Sequence, residues 1–149
     1  MKDIRQKLVE QLRTGNCTPR IALLARKLKE PSTTLHYNIK KLEREGAILG
    51  YKAVFDHRKI GGGFTAFVLL TLSPDEYGDP ERLANEFAKH PQIESVDIIT
   101  GDWELILKVR TKDQDDYFEF VKKVISKKGV TKIKTLTSLR QMKSEFVEL

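Results

Sequence analysis

Residues 19–45 read as two short amphipathic helices divided by a break of about one turn, and few small folds accommodate such a pair. Thr18-Pro19 is a start signal, a capping hydroxyl followed by a proline in the first helical turn. Ile21, Leu24, Ala25 and Leu28 then follow the i, i+3, i+4, i+7 rhythm of one buried face. Lys29-Glu30-Pro31-Ser32 interrupts the helix, Pro31 and Ser32 open the next, and that one runs to Glu45 before Gly46 stops it. A further helix over Lys2–Arg13 precedes the pair, with Ile4, Leu8, Val9 and Leu12 at helical spacing and Gly15-Asn16 as its end. The alternation from Ile48 to Phe55 predicts a strand leading out of this small unit.

The second helix of the pair has two chemically distinct sides. At 100° per residue, Leu35, Ile39 and Leu42 form one narrow apolar stripe. Thr33, Tyr37, Lys40, Lys41 and Arg44 point the other way, flanked by Thr34, His36 and Asn38. These side chains carry donors suited to base edges and phosphates. A helix-turn-helix requires that division, because its first helix braces the backbone while the outer face of the second enters the major groove. The charge distribution agrees. Residues 1–60 hold 14 Lys+Arg against 6 Asp+Glu, a net of +8, whereas residues 61–149 hold 13 against 15, a net of −2. Segregated positive charge is the footprint of a polyanion binder, and double-stranded DNA is the expected partner.

Beyond Gly61-Gly62-Gly63 the pattern changes. Phe64–Leu72 is an apolar, β-prone run; Asp79-Pro80 starts a helix that buries Leu83, Ala84, Phe87 and Ala88; Ile93–Thr100 is a strand. Gly101-Asp102 signals a hairpin into Trp103–Arg110, whose Trp103, Leu105, Leu107 and Val109 share a face. Asp113 caps a helix with Phe118, Val121, Val124 and Ile125 inward, and Val130–Leu139 closes the series. The order βαββαβ is that of a ferredoxin-like domain. The expectation is therefore an α+β protein, with a (winged) helix-turn-helix domain over residues 1–50, a linker strand or hinge over 51–62, and a ferredoxin-like domain over 63–149.

Several classes are excluded. No apolar run approaches the ~20 residues that cross a bilayer, and the first residues lack a signal-peptide core. One cysteine, Cys17, permits no intrachain disulfide. A cytoplasmic protein is expected. Cys17, His36, His57 and His90 fall in no ligand spacing, so no metal is expected. Gly61-Gly62-Gly63 lacks the strand-to-helix setting of a phosphate cradle, and no other cofactor motif is present.

Leu24-Ala25-Arg26, Ser32-Thr33-Thr34-Leu35, Ile39-Lys40-Lys41-Leu42-Glu43, Gly46-Ala47-Ile48 and Gly50-Tyr51 resemble the Lrp/AsnC, or feast/famine, regulators. The resemblance continues through Ile60-Gly61, Thr100-Gly101-Asp102-Trp103-Glu104 and Gly129-Val130, in order and nearly end to end. It implies a transcriptional regulator that dimerises through the sheet of its second domain, often assembling further into tetramers or octamers. It also implies an amino-acid effector beside Gly101, Asp102, Trp103 and Glu104, with a carboxylate for a ligand ammonium and Thr135 as a weaker candidate. The chain departs from the family pattern at Asn38, where an arginine is common, and at Trp103 and Glu104, where many members have tyrosine and aspartate. Its N-terminal acidic pattern is reduced to Asp3. An enzyme is the alternative. His57-Arg58 resembles a His-Arg pair of siroheme decarboxylases, but the Tyr- and Pro-rich segment of those enzymes is missing, and residues 98–104 are of the regulator type. An architectural DNA-compacting protein without effector would share every residue named.

Overall fold

The computed structural model describes residues 1–61, 63–145 and 147–148. The chain divides into two compact units, Met1–Phe55 and Asp56–Leu149. Gly62, the centre of the expected glycine hinge, lies outside the described residues.

The first unit contains α1 (Arg5–Arg13), α2 (Ile21–Leu28) and α3 (Ser32–Arg44). Helix α2 starts two residues later than Pro19, and its first carbonyl to accept is that of Arg20, so Thr18 is not its cap. The turn between α2 and α3 is closed by Lys29, whose φ of 56° lies in the left-handed region. Glu30 N–H then bonds back to Ala25 O at 3.1 Å, and the same overhand closure recurs after α3, where Ala47 N–H reaches Leu42 O at 2.9 Å. Pro31, extended at φ −60° and ψ 146°, sets the direction in which α3 departs.

This unit has little interior. Leu35, 6% exposed, is its one buried residue, while Val9, Leu12, Ile21, Leu24, Ala25 and Ile39 are half-buried. Leu42, expected on the inner stripe, is 42% exposed. Helices of 9, 8 and 13 residues are too short to enclose more than a single layer of side chains. Residues 48–55 do not form the expected strand, and no wing forms among the described residues of this unit. A strand requires a ladder partner, and here the segment is held instead by Ala53 N–H bonded to Leu12 O at 3.0 Å.

The second unit is an antiparallel sheet in the order β2-β3-β1-β4, built from β1 (Phe64–Leu72), β2 (Ile93–Ile98), β3 (Leu105–Thr111) and β4 (Val130–Thr137). Helices α4 (Pro80–Ala88) and α5 (Gln114–Phe120) complete the βαββαβ order. Both start as the sequence suggests, with the Asp79 carboxylate accepting from Arg82 N–H and that of Asp113 from Asp116 N–H. Ala66, Val68, Leu70 and Leu72 of β1 and Leu105, Leu107 and Val109 of β3 are buried against Leu83, Phe87, Tyr117, Phe120 and Ile125. Phe118, expected inward, is 60% exposed, and Tyr117 and Phe120 take its place. After Phe120 the chain widens into a π turn over Val121–Ile125, which shifts the helical phase and still brings Ile125 into the core. Phe118 lies instead under the Lys122 ammonium, 4.6 Å from the ring centroid.

Among the described residues of this unit, no helix packs on the other face of the sheet. Alternation from the buried residues puts Phe67, Leu69, Ile106 and Leu136 there, and Phe67 and Leu136 are exposed. Gly63 shows how tightly the sheet begins: a Cβ there would lie 1.4 Å from the Lys112 carbonyl oxygen. Two short paired strands, β5 (Lys143–Ser144) and β6 (Val147–Glu148), follow and have no counterpart in the sequence expectations.

Candidate nucleic-acid interface and effector turn

Helix α3 is long enough for three and a half turns, and Leu35 anchors it inward. Thr33, Thr34, His36, Tyr37, Asn38, Lys40, Lys41 and Arg44 are all exposed. All eight expected contact residues therefore share the solvent side of one rigid element. Their commitments differ. Asn38 Nδ2 donates to Thr34 O at 2.8 Å, so its amide is partly spent on its own helix. Lys40 pairs with Glu43 at 3.2 Å and Lys41 approaches Glu45 at 3.9 Å, both across exposed surface where a phosphate can displace the carboxylate at little cost. Thr33, Thr34, His36, Tyr37 and Arg44 carry no hydrogen bond or ion pair on their side chains among the described residues.

Glu43 has a second role that the sequence did not reveal. The Tyr51 hydroxyl donates to its Oε1 at 3.1 Å, tying the segment after α3 to the helix. Hydrogen bonds from Lys40 and then Tyr51 hold the Glu43 carboxyl below its ordinary value, while burial, aided by Glu43, pushes the Tyr51 phenol up. Cys17, expected beside the helical core, is half-buried with its thiol directed at Leu12 O.

The turn between β2 and β3 is formed as its glycine requires, with Gly101 at φ +105°. Asp102 is exposed, and Trp103 and Glu104 are half-buried. Trp103 precedes β3 instead of belonging to it. Glu104 is committed on one side: its Oε2 accepts Leu72 N–H at 2.8 Å, where the β1 register slips between Thr71 and Leu72. Its backbone N–H bonds Leu70 O at 2.9 Å. Within one chain Thr135 lies apart from this group. It pairs opposite Val68 on β4, with β1 between it and β3, and its hydroxyl meets the Tyr117 hydroxyl at 2.5 Å. Burial pushes the Tyr117 phenol up despite that bond.

Among the described residues, no group of His, Cys, Asp and Glu is placed to hold a metal ion, and no helix is long and apolar enough to cross a membrane.

Residues 65–147 match the Lrp/AsnC ligand binding domain. The chain belongs to the Lrp/AsnC family. An HTH-type transcriptional regulator of Pyrococcus abyssi, itself uncharacterized, is 35% identical over 144 residues, covering 96% of this chain and 95% of its own length. The fold is shared with an AsnC family transcriptional regulator from Agrobacterium tumefaciens, with a TM-score of 0.73 at 24% identity over 97% of this chain and 94% of the other. It is shared too with a transcriptional regulator of Neisseria meningitidis solved as its L-Met complex, with a TM-score of 0.71 at 20% identity over 97% and 94% of the two chains. The Lrp/AsnC chain described here is thus an HTH-type transcriptional regulator with a ligand-binding domain, and membership implies DNA binding. Its relatives are regulators and not enzymes, which removes the decarboxylase alternative for His57-Arg58.

Proposed function

We propose that this regulator binds specific DNA sequences as a homodimer, laying two copies of α3 into successive major grooves, and that a small molecule such as an amino acid modulates it. The observation that carries this reading is the outer side of α3. Eight polar or cationic side chains share it, and five of them have no competing side-chain partner among the described residues. Lys40, Lys41 and Arg44 supply phosphate attraction; Thr33, Thr34, His36, Tyr37 and Asn38 discriminate bases. Two-fold pairing puts the half-sites about 34–36 Å apart, or a multiple of that. The helix-free face of the sheet, with Phe67, Leu69, Ile106 and Leu136, supports pairing of two copies through apolar contact.

For the effector, Asp102 and the second oxygen of Glu104 are the carboxylate groups at the turn that remain open to an ammonium. The L-Met complex of the Neisseria relative favours an amino acid as the ligand class. The effector acts by binding one assembly state more tightly than another.

Selection of bound duplexes from a random pool tests the DNA reading and its symmetry together: recovery of a two-fold site supports it, and recovery of unrelated sequences refutes specificity. Sizing the protein with and without a panel of amino acids, alongside calorimetry, tests the effector. No change in size together with no heat removes that part.

A further inference from the structure

A cleft of about 230 Å³ opens at the end of the sheet remote from the effector turn. Its walls come from four separated stretches of chain: His57 and Arg58 on the short 3-10 turn before β1, Thr65 on β1, Arg110 on β3, and Ser138 and Arg140 just after β4. Thr65 and Arg110 are paired neighbours in the sheet, and both adjoin fully buried residues, Ala66 and Val109. Strand alternation therefore directs them to the helix-free face. Thr65 lies five residues from Leu70, where Glu104 is attached, so about 17 Å of strand separates cleft from turn.

The chemistry of the lining is one-sided. Three guanidiniums meet there, and two are held in place. Arg58 is clamped by Asp56 through Nε at 2.9 Å and Nη2 at 2.8 Å. The Arg110 side chain is only 10% exposed, and its Nε is bound by Glu94. Glu94 is also reached by Lys108 at 3.4 Å. Each fixed guanidinium uses one edge for its carboxylate and retains N–H donors on the other. Arg140 is exposed and has no ion-pair partner among the described residues. The hydroxyls of Thr65 and Ser138 add further hydrogen-bonding groups, and Ser138 is held by its N–H bonded to Thr65 O at 2.9 Å. Three positive side chains against Asp56 and Glu94 leave a net positive rim. The volume falls below the roughly 300–1,000 Å³ of sites for drug-sized ligands.

We propose that this cleft is a second ligand site, distinct from the 101–104 turn, for a small organic oxyanion bearing a carboxylate or phosphate. Planar guanidiniums recognise both groups through paired N–H donors, and prior clamping lowers the ordering cost of binding. Arg58 and Arg110 supply fixed donors, and Arg140 closes on the ligand from the open side.

Isothermal calorimetry on the full chain tests the assignment, with succinate and 2-oxoglutarate as the carboxylate arm and inorganic phosphate and pyrophosphate as the phosphate arm, at ionic strength matched with sodium chloride. Saturable binding near one ligand per chain is expected in one arm, which identifies the group. Arg140→Ala, on exposed surface, is expected to weaken it about tenfold, the scale of one lost charge-assisted contact. Arg110→Lys keeps the charge, loses the planar fork, and is expected to weaken it comparably. If Arg110→Lys does not fold, Arg140→Ala alone decides. Absence of saturable binding in both arms overturns the proposal, and so does binding unchanged in a folded Arg140→Ala protein.

Discussion

The two units of this chain solve the problem of stability differently. The second shuts thirteen residues into one continuous core between sheet and helices, with Val68, Leu70, Leu83, Phe87, Leu105 and Leu107 wholly inaccessible. The first, built of three short helices, buries Leu35 alone and leaves Ile4, Leu8, Leu28 and Leu49 exposed. A region that leaves most of a helix open to solvent cannot also surround that helix. What it loses in burial it recovers in local closures, the two overhand turns and the Tyr51–Glu43 bond, which set angles more than they add energy.

That contrast is open to direct attack. Phe87→Ala removes the largest fully buried side chain and is expected to cost about 3–5 kcal/mol, lowering the urea midpoint of the sheet unit. An effect below about 1 kcal/mol means that the core is looser than its geometry indicates. Leu35→Ala is expected to cost about 2–3 kcal/mol, towards the low end for a leucine because its surroundings are half-open. Loss of helical circular dichroism and of DNA binding, with the sheet unit's transition unchanged, is the expected signature. Coincident loss of both transitions would show that the two units unfold as one.

Charge provides finer tests. Burial pushes the Glu94 carboxyl up, but the hydrogen bond and charge of Arg110, with Lys108 and His57, more than offset that and hold it below its ordinary 4.5. A carboxyl lowered by folding binds its proton more readily when unfolded. Its contribution is therefore complete above about 4.5 and fades as pH falls through the lower folded value. Glu94→Gln is expected to flatten the acid limb of the stability profile of the sheet unit, by an amount on the order of 1 kcal/mol. An unchanged acid limb refutes the pairing. Lys40→Ala combined with Lys41→Ala is expected to change stability by less than about 0.5 kcal/mol, since both are exposed. The same change flattens log K against log salt by about 0.9 for each phosphate contact removed. Unaltered affinity and slope would detach α3 from DNA.

Legibility in the sequence followed the range of the interaction. The outward side of α3 on which the eight named residues lie was readable because one helical period fixes it, and β1 was readable end to end because a nine-residue run with seven apolar residues admits little else. Phe118 was misplaced because a π turn, which no periodicity announces, alters the phase just beyond it. Residues 48–55 alternate as a strand does, yet alternation states a preference and not the presence of a neighbour to pair with. That Thr135 lies two strands from β3 within one chain follows from strand order, which periodicity does not give. Arg110 and Arg140 escaped notice altogether, since their meeting with Arg58 depends on the register of three strands.

The bond from Glu104 to Leu72 N–H has a mechanical implication. The carboxylate that a ligand would solicit is already the stitch that repairs a dropped rung in the central strand. Any molecule that draws Glu104 away strips an amide of its acceptor, and the strand must then resettle around the defect. Were an effector to engage Glu104 as proposed, it would thereby be felt in the backbone of β1 itself, not merely on the loop.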